Sequence, residues 1–308
     1  MKEHQKTLKK RYIFEGKGLH TGLNCRMTLC PAAADHGIVF QRKDLGEEAL
    51  IEASWRNIAG TARSTLLCKD GVEVMTIEHL LAAFSGLGVD NALVEIDTME
   101  LPILDGSARP YVEAILSDGL HVQNTPRRYI EVSEPFLFED PKTGSSLQVL
   151  PADSFSVEVE IDFDSKVLGV QEAQFTEGDD FASAIAPCRT FCFLHELESL
   201  LNRNLIKGGD MDNAIVIVED EVDENTLRRL KSIFSIENLE RAPEGYLNNL
   251  TLYFENECAR HKLLDLIGDF ALAGLPLKAR IIARKPGHAI NTSALKSMFE
   301  NKNIVCSV

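Results

Sequence analysis

The sequence predicts an α+β fold in two halves of like architecture, each a sheet with helices packed on one face. Three observations carry this expectation. The chain has 308 residues, more than one hydrophobic core comfortably serves, so two domains are expected. A helix closed by a glycine turn and followed by a strand occurs twice. The remaining apolar runs are short and strand-like, and they do not alternate strictly with helices as a βαβ array would.

Along the chain, "MKEHQKTLKKRYIFEGKG" carries lysines with no apolar stretch behind them. It reads as a solvated leader to a first strand and not as a secretory signal. "GIVFQR" is a β-branched strand run. In "TIEHLLAAFSGLGVDNALVEID", Ile77, Leu80, Leu81 and Phe84 fall at helical spacing, Gly86-Leu87-Gly88 closes the helix, and "NALVEI" follows as a strand. Turn residues and Pro126 in "LHVQNTPRRYIEV" place the boundary near residue 127, giving domains 1–127 and 128–308. "LQVLP", "FSVEVEIDF", "AIVIVED" and "LTLYFE" are the strands expected next, while "EGDD" and "EDEVDEN" read as acidic loops or helix starts. Then "HKLLDLIGDFALAGLPLKARIIA" repeats the earlier order: helix, Gly274-Leu275-Pro276, strand.

Composition excludes several classes. No apolar run approaches the roughly 18 residues of a membrane span. A formal net charge of −15 argues against nucleic acid, whose binding rests on neutralising phosphates. Seven cysteines, scattered and without a CxxC, suggest neither a zinc ribbon nor a redox motif. They read as buried thiols in a reducing compartment, hence the cytosol. Within this acidic chain, Arg260, Lys262, Lys278, Arg280, Arg284 and Lys285 form a cationic island, which taken alone is a solvated surface.

The second helix carries His261, Asp265 and Asp269 at steps of four among Leu263, Leu264, Leu266 and Ile267. Residues four apart sit about 40° around the axis from one another, so the three make one polar stripe. An HxxxD pair can converge on a metal, although an exposed stripe with a helical ion pair is the commoner origin of this pattern. Glu78 and His79 stand off the apolar face at the start of the first helix. Together the helices can offer His79, His261 and Asp265, with a fourth tetrahedral position left for water, the pattern of a catalytic zinc. Glu78 would then stand beside that water as a base. His288, in "RKPGHAIN", is by default a surface-loop histidine; if Asp269 meets it, that carboxylate fixes its tautomer and favours its cation. Thr190 in "CRTFCF" is either a hydroxyl donor between Phe191 and Phe193 or part of an ordinary strand. "KGGDMDN" is a glycine turn, too short for a P-loop.

The motifs "GKGLHTG", "TARSTLL", "TIEHLLAAFSGLGVDNALVEID", "LPILDGSARPYVEAI", "CRTFCF", "KGGDMDNAIV", "RHKLLDLIGDFALAG" and "PGHAIN" occur in this order. They closely resemble the UDP-3-O-acyl-N-acetylglucosamine deacetylase family of lipid A biosynthesis, from about residue 11 to 298. The resemblance implies two α+β domains with the active site between them. It also implies a zinc amidase that removes the acetyl group from a UDP-glucosamine bearing a 3-O-hydroxyacyl chain. It carries the metal ligands onto His79, His261 and Asp265, the base onto Glu78, the catalytic histidine onto His288 with Asp269 as its partner, and oxyanion assistance onto Thr190. Lys262 matches a basic contact near the diphosphate, which the cationic island would extend. Phe163 in "IDFDS" matches a uracil-stacking aromatic, although "KVLG" after it departs from the family's usual histidine and proline. Phe191, Phe193 and the segment "NRNLIKGGDMDNAIV" would help form an acyl-chain passage in the second domain, bringing the protein near membranes as a peripheral protein. Iron in the same ligands is the alternative metal. The rival functions are a zinc amidohydrolase of another acylated substrate and a metal-free nucleotide-sugar or lipid-binding module. Some family members continue into a hydroxyacyl dehydratase domain; this sequence ends at "NIVCSV", so a stand-alone deacetylase and the deacetylase part of a fusion both agree with it.

Overall fold

The computed structural model describes residues 3–197, 213–234, 237–301 and 305–307. Among the described residues its α-helices are α1 (Glu78–Leu87), α2 (Arg109–Asp118), α3 (Phe181–Ala184), α4 (Glu224–Phe234), α5 (Glu257–Ala271) and α6 (His288–Glu300).

The two halves share one strand order. In the first, strands Tyr12–Lys17, Asn24–Pro31, Ala92–Ile96, Ile38–Arg42 and Leu50–Glu52 lie side by side in that sequence. In the second, Phe136–Asp140, Ser145–Pro151, Leu277–Arg284, Ser156–Asp162 and Val170–Thr176 do the same. Each set has one parallel pair at the same place, Ile38–Arg42 with Ala92–Ile96 and Ser156–Asp162 with Leu277–Arg284; the other neighbours run antiparallel. A flanking antiparallel pair completes each half, His4–Leu8 with Leu120–Pro126 and Ile130–Val132 with Val305–Ser307. In chain order both halves therefore read five strands, helix, strand, helix, strand, an α+β unit present twice.

Both units are interrupted at the same point, between the fifth strand and the first helix. Residues 53–77 form the excursion of the first half and include a small antiparallel sheet of Ile58–Gly60, Leu66–Lys69 and Val72–Met75. Residues 177–256 form that of the second and include α3, α4 and the parallel pair Phe191–Phe193 and Ile215–Ile217.

Period-two alternation decides the sheet faces. Leu277–Arg284 buries Leu277, Ala279, Ile281 and Ala283, and Ser156–Asp162 buries Val157, Val159 and Ile161. The helices α1 and α5 have no such open side. Residues 78–84 of α1 are all buried, and in α5 only Arg260, Lys262 and Ala271 escape burial. The reason is their position at the seam, where α1 packs on α5, α2 and α3, and α5 packs on α1, α6 and the second sheet, within one continuous core containing Leu80, Phe84, Leu263 and Phe270. They pack tightly at Gly268, where an added Cβ would lie 2.1 Å from the carbonyl oxygen of Glu78. Glycine is what lets these helices meet.

Several expectations change. The leader is a strand from His4 on, and Gln5, Thr7 and Leu8 are buried. Of "AIVIVED" only Ile215–Ile217 is a strand. "LTLYFE" is irregular because its backbone serves a buried ion pair: the Thr251 carbonyl accepts from Arg189, and the Tyr253 N–H donates to Glu257. Most charges of the cationic island are paired on the sheet. Lys278, Arg280, Arg284 and Lys285 pair with Glu131, Glu158, Glu160 and Asp162 on neighbouring strands. Arg260 bonds Asn256 and the Ala184 carbonyl. Among the described residues, no helix is long and apolar enough to cross a membrane.

Candidate active site

The site is built where the two buried helices touch. The first turn of α1 delivers Glu78 and His79, and one face of α5 delivers His261, Asp265 and Asp269. His79 Nε2 lies 3.7 Å and His261 Nε2 3.5 Å from Asp265 Oδ1. The ligand atoms of His79, His261 and Asp265 all fall within 4.8 Å of one another. His261 Nδ1 is 3.1 Å from the carbonyl of Cys188. A carbonyl only accepts, so the ring proton sits on Nδ1 and the Nε2 lone pair faces the cluster.

These residues suit a metal cation. Asp265 Oδ1 is buried without a hydrogen-bond partner, an orphan that a cation would satisfy. Burial pushes His261 down to about 3 and lowers His79 as well, against the pull of Asp265. Both are thus neutral and able to ligate. Burial alone would raise Asp265, but its cationic neighbours Lys262 and His288 outweigh it and hold the carboxyl far below its usual range. Two neutral imidazoles and one carboxylate form the donor set of a borderline dication such as zinc.

Beside this cluster stands a second pair. His288 is not in a surface loop; it is the first residue of α6, and its side chain is only 9% exposed. Its Nδ1 is 2.9 Å from Asp269 Oδ2, and its Nε2 is 3.6 Å from Glu78 Oε1. Burial opposes the imidazolium, yet Asp269 and Glu78 outweigh it and lift His288 to about 10. Burial pushes Glu78 up to about 7 against the attraction of His288. Asp269 also accepts from Thr65 Oγ1 at 2.6 Å and from Asn291 Nδ2 at 2.9 Å.

The second excursion forms a wall. Arg189 forks onto buried Glu257, which pins the segment presenting the Cys188 carbonyl. The half-buried Thr190 is anchored through its N–H to the Gly106 carbonyl, 2.8 Å away. The Phe191 ring lies 6.2 Å, edge-on, from that of His261. Lys262 Nζ is 5.3 Å from the Phe191 ring and 2.7 Å from Asp265 Oδ2, so its ammonium already serves a carboxylate of the cluster. Phe163, 42% exposed, meets Phe191 and Phe193 at 5.5 and 5.7 Å. The aromatic expected for the nucleotide and the pair expected for the acyl passage are therefore one cluster. Residues 202–212 of the expected passage, with most of "KGGDMDN", lie outside the described residues.

Sequence reasoning did not single out Thr65, Asn291, Gly268 or the Cys188 carbonyl. Thr65 was visible only as part of "TARSTLL", and no side-chain pattern announces a carbonyl ligand-holder.

A family profile described as "LpxC: UDP-3-O-acyl N-acetylglycosamine deacetylase" matches residues 5–232 and 239–300. The chain belongs to this deacetylase family. Among curated members of the deacetylase family, the UDP-3-O-acyl-N-acetylglucosamine deacetylases of Saccharophagus degradans and Cellvibrio japonicus are 37% and 39% identical to it, over 97% of this chain and 91% of theirs. The "Bifunctional enzyme LpxC/FabZ" of Porphyromonas gingivalis is 47% identical over 94% of this chain. This chain spans 63% of that relative's length, and 64% of a bifunctional relative from Bacteroides thetaiotaomicron.

Proposed function

We propose that this chain hydrolyses the N-acetyl group of UDP-3-O-(3-hydroxyacyl)-N-acetylglucosamine, releasing acetate and leaving the free amine, as a step of lipid A biosynthesis. We further propose one zinc ion per chain, held by His79, His261 and Asp265, with iron as the alternative occupant. Family membership supports the substrate class. The observation that carries the chemistry is the meeting of a three-ligand cluster with the Glu78–His288 pair at a buried seam.

A dication in this cluster supplies a Lewis acid, which polarises a carbonyl and makes water more acidic. Glu78, whose burial raises its proton affinity, accepts the proton of the attacking water. His288, held cationic by Asp269, protonates the departing sugar nitrogen, since an amine leaves poorly as an anion. Thr190 donates to the developing oxyanion; such a donor is worth roughly 3–4 kcal/mol. Phe163, Phe191 and Phe193 offer a stacking and apolar surface for uracil and acyl chain. Lys262 has its second role toward phosphate only after loosening from Asp265.

The proposal also places the domain division near residue 127 and the protein in the cytosol, at the membrane periphery where an acylated substrate resides. The unpaired thiols Cys25 and Cys188, both buried, and half-buried Cys192, pushed up to about 11, 12 and 12 by desolvation, suit a reducing compartment. The strongly negative net charge leaves nucleic acid out of the proposal. Metal content measured together with acetate release from the UDP-3-O-acyl sugar tests it. Zinc near one equivalent, and acetate release lost on chelation and regained with zinc, is expected. Chelator-resistant release, or none from the acylated sugar at full zinc, would overturn it.

A further inference from the structure

We propose that Thr65 is a positioning residue that holds the base and the acid's partner in register across the seam. This rests on the reading that Glu78 and His288 move the protons. Thr65 belongs to the excursion of the first half and is fully buried. Its hydroxyl donates to Asp269 Oδ1 at 2.6 Å, 204 residues away in sequence, and its backbone N–H donates to Glu78 Oε2 at 3.2 Å. The same hydroxyl lies 3.4 Å from His288 Nδ1. One residue thus touches three members of the site through two different groups.

The geometry gives each contact a task. A carboxylate held at one oxygen can still pivot about its Cβ–Cγ bond. Asp269 is held at both, by Thr65 on Oδ1 and by His288 and Asn291 on Oδ2. Its plane, and with it the direction of the His288 ring, is therefore fixed. The backbone N–H similarly fixes Oε2 of Glu78, leaving Oε1 facing His288 Nε2. Because Thr65 and Glu78 belong to one half and Asp269 and His288 to the other, Thr65 also links the halves at the point where proton transfer needs them aligned. It hydrogen-bonds to none of the three ligand side chains, so its loss acts on the chemical step and leaves metal binding alone.

Thr65→Val keeps the shape and the backbone N–H and removes only the hydroxyl; Thr65→Ser restores it. For both variants and wild type, acetate release, metal affinity, thermal unfolding and the 15N–1H signal of the His288 ring are measured. We expect Thr65→Val to lose about 10- to 100-fold in kcat, the scale of a misdirected catalytic group. Its KM and metal affinity stay near wild type and its His288 Nδ1–H signal moves, while Thr65→Ser recovers both rate and signal. Wild-type kcat in Thr65→Val would overturn the proposal, as would unfolding or metal loss shared by Val and Ser. If wild type releases no acetate, the functional reading fails. The His288 signal then decides the positioning role alone, and an unmoved signal in Thr65→Val overturns it.

Discussion

At the scale of single residues, the cluster concentrates ionisable groups that water would otherwise solvate. Their states follow from which neighbour offsets burial. His79→Ala removes one nitrogen of three ligand atoms and should weaken metal binding by at least about 100-fold, roughly 2.8 kcal/mol, read by chelator competition. Asp269→Asn tests the other pair. The Asp269 carboxylate raises the proton affinity of His288, so neutralising it lowers that affinity, and the cationic acid is lost at a lower pH. The alkaline limb of kcat/KM should move to lower pH at constant metal occupancy; an unmoved limb would remove Asp269 from that role. His261, Asp265 and Asp269 were legible in the sequence because helical periodicity is local: a step of four fixes a shared face. Thr65 was not, since its contact with Asp269 spans 204 residues and only the tertiary fold sets it. His288 was visible as a candidate, but its burial depends on a helix whose polar sequence, "HAINTSALKSMFE", hides its apolar side.

At the scale of elements, the decisive contact is α1 against α5. Gly268→Ala places a methyl 2.1 Å from the Glu78 carbonyl oxygen, which only a shift of backbone can relieve. The expected destabilisation is about 1–3 kcal/mol, accompanied by weaker metal binding because the displaced turn carries Glu78 and His79. Calorimetry with metal titration checks both; an unperturbed affinity would mean that the helices do not set the ligand spacing. The two helix–turn–strand units were readable from apolar spacing and glycine stops. "LTLYFE" misled because its alternation mimics a strand while its backbone groups are taken by Arg189 and Glu257. The pairing of the cationic strand was not legible for a related reason. Its charges are answered from adjacent strands, and pairing partners are invisible in a single segment.

At the scale of the whole molecule, the metal ligands come from both halves, so occupancy and cohesion are linked. A ligand that binds only the folded chain, present at 100 times its dissociation constant, adds about 2.7 kcal/mol. Chelation should therefore lower the unfolding temperature by several degrees, and zinc should restore it. Equal temperatures with and without metal would mean that the three side chains do not hold it. The length and the repeated motif made the twofold plan legible. The matching strand orders and the shared point of interruption were not, because they depend on which strands become neighbours.

That shared point of interruption has an evolutionary consequence. No ladder of either five-stranded array draws on the described residues of 53–77 or 177–256, so apart from Thr65, the Cys188 carbonyl, Thr190 and the side chains that join the common core, both grafts can vary without breaking either array. Mutational drift in substrate preference should gather there, while the scaffold beneath ages slowly.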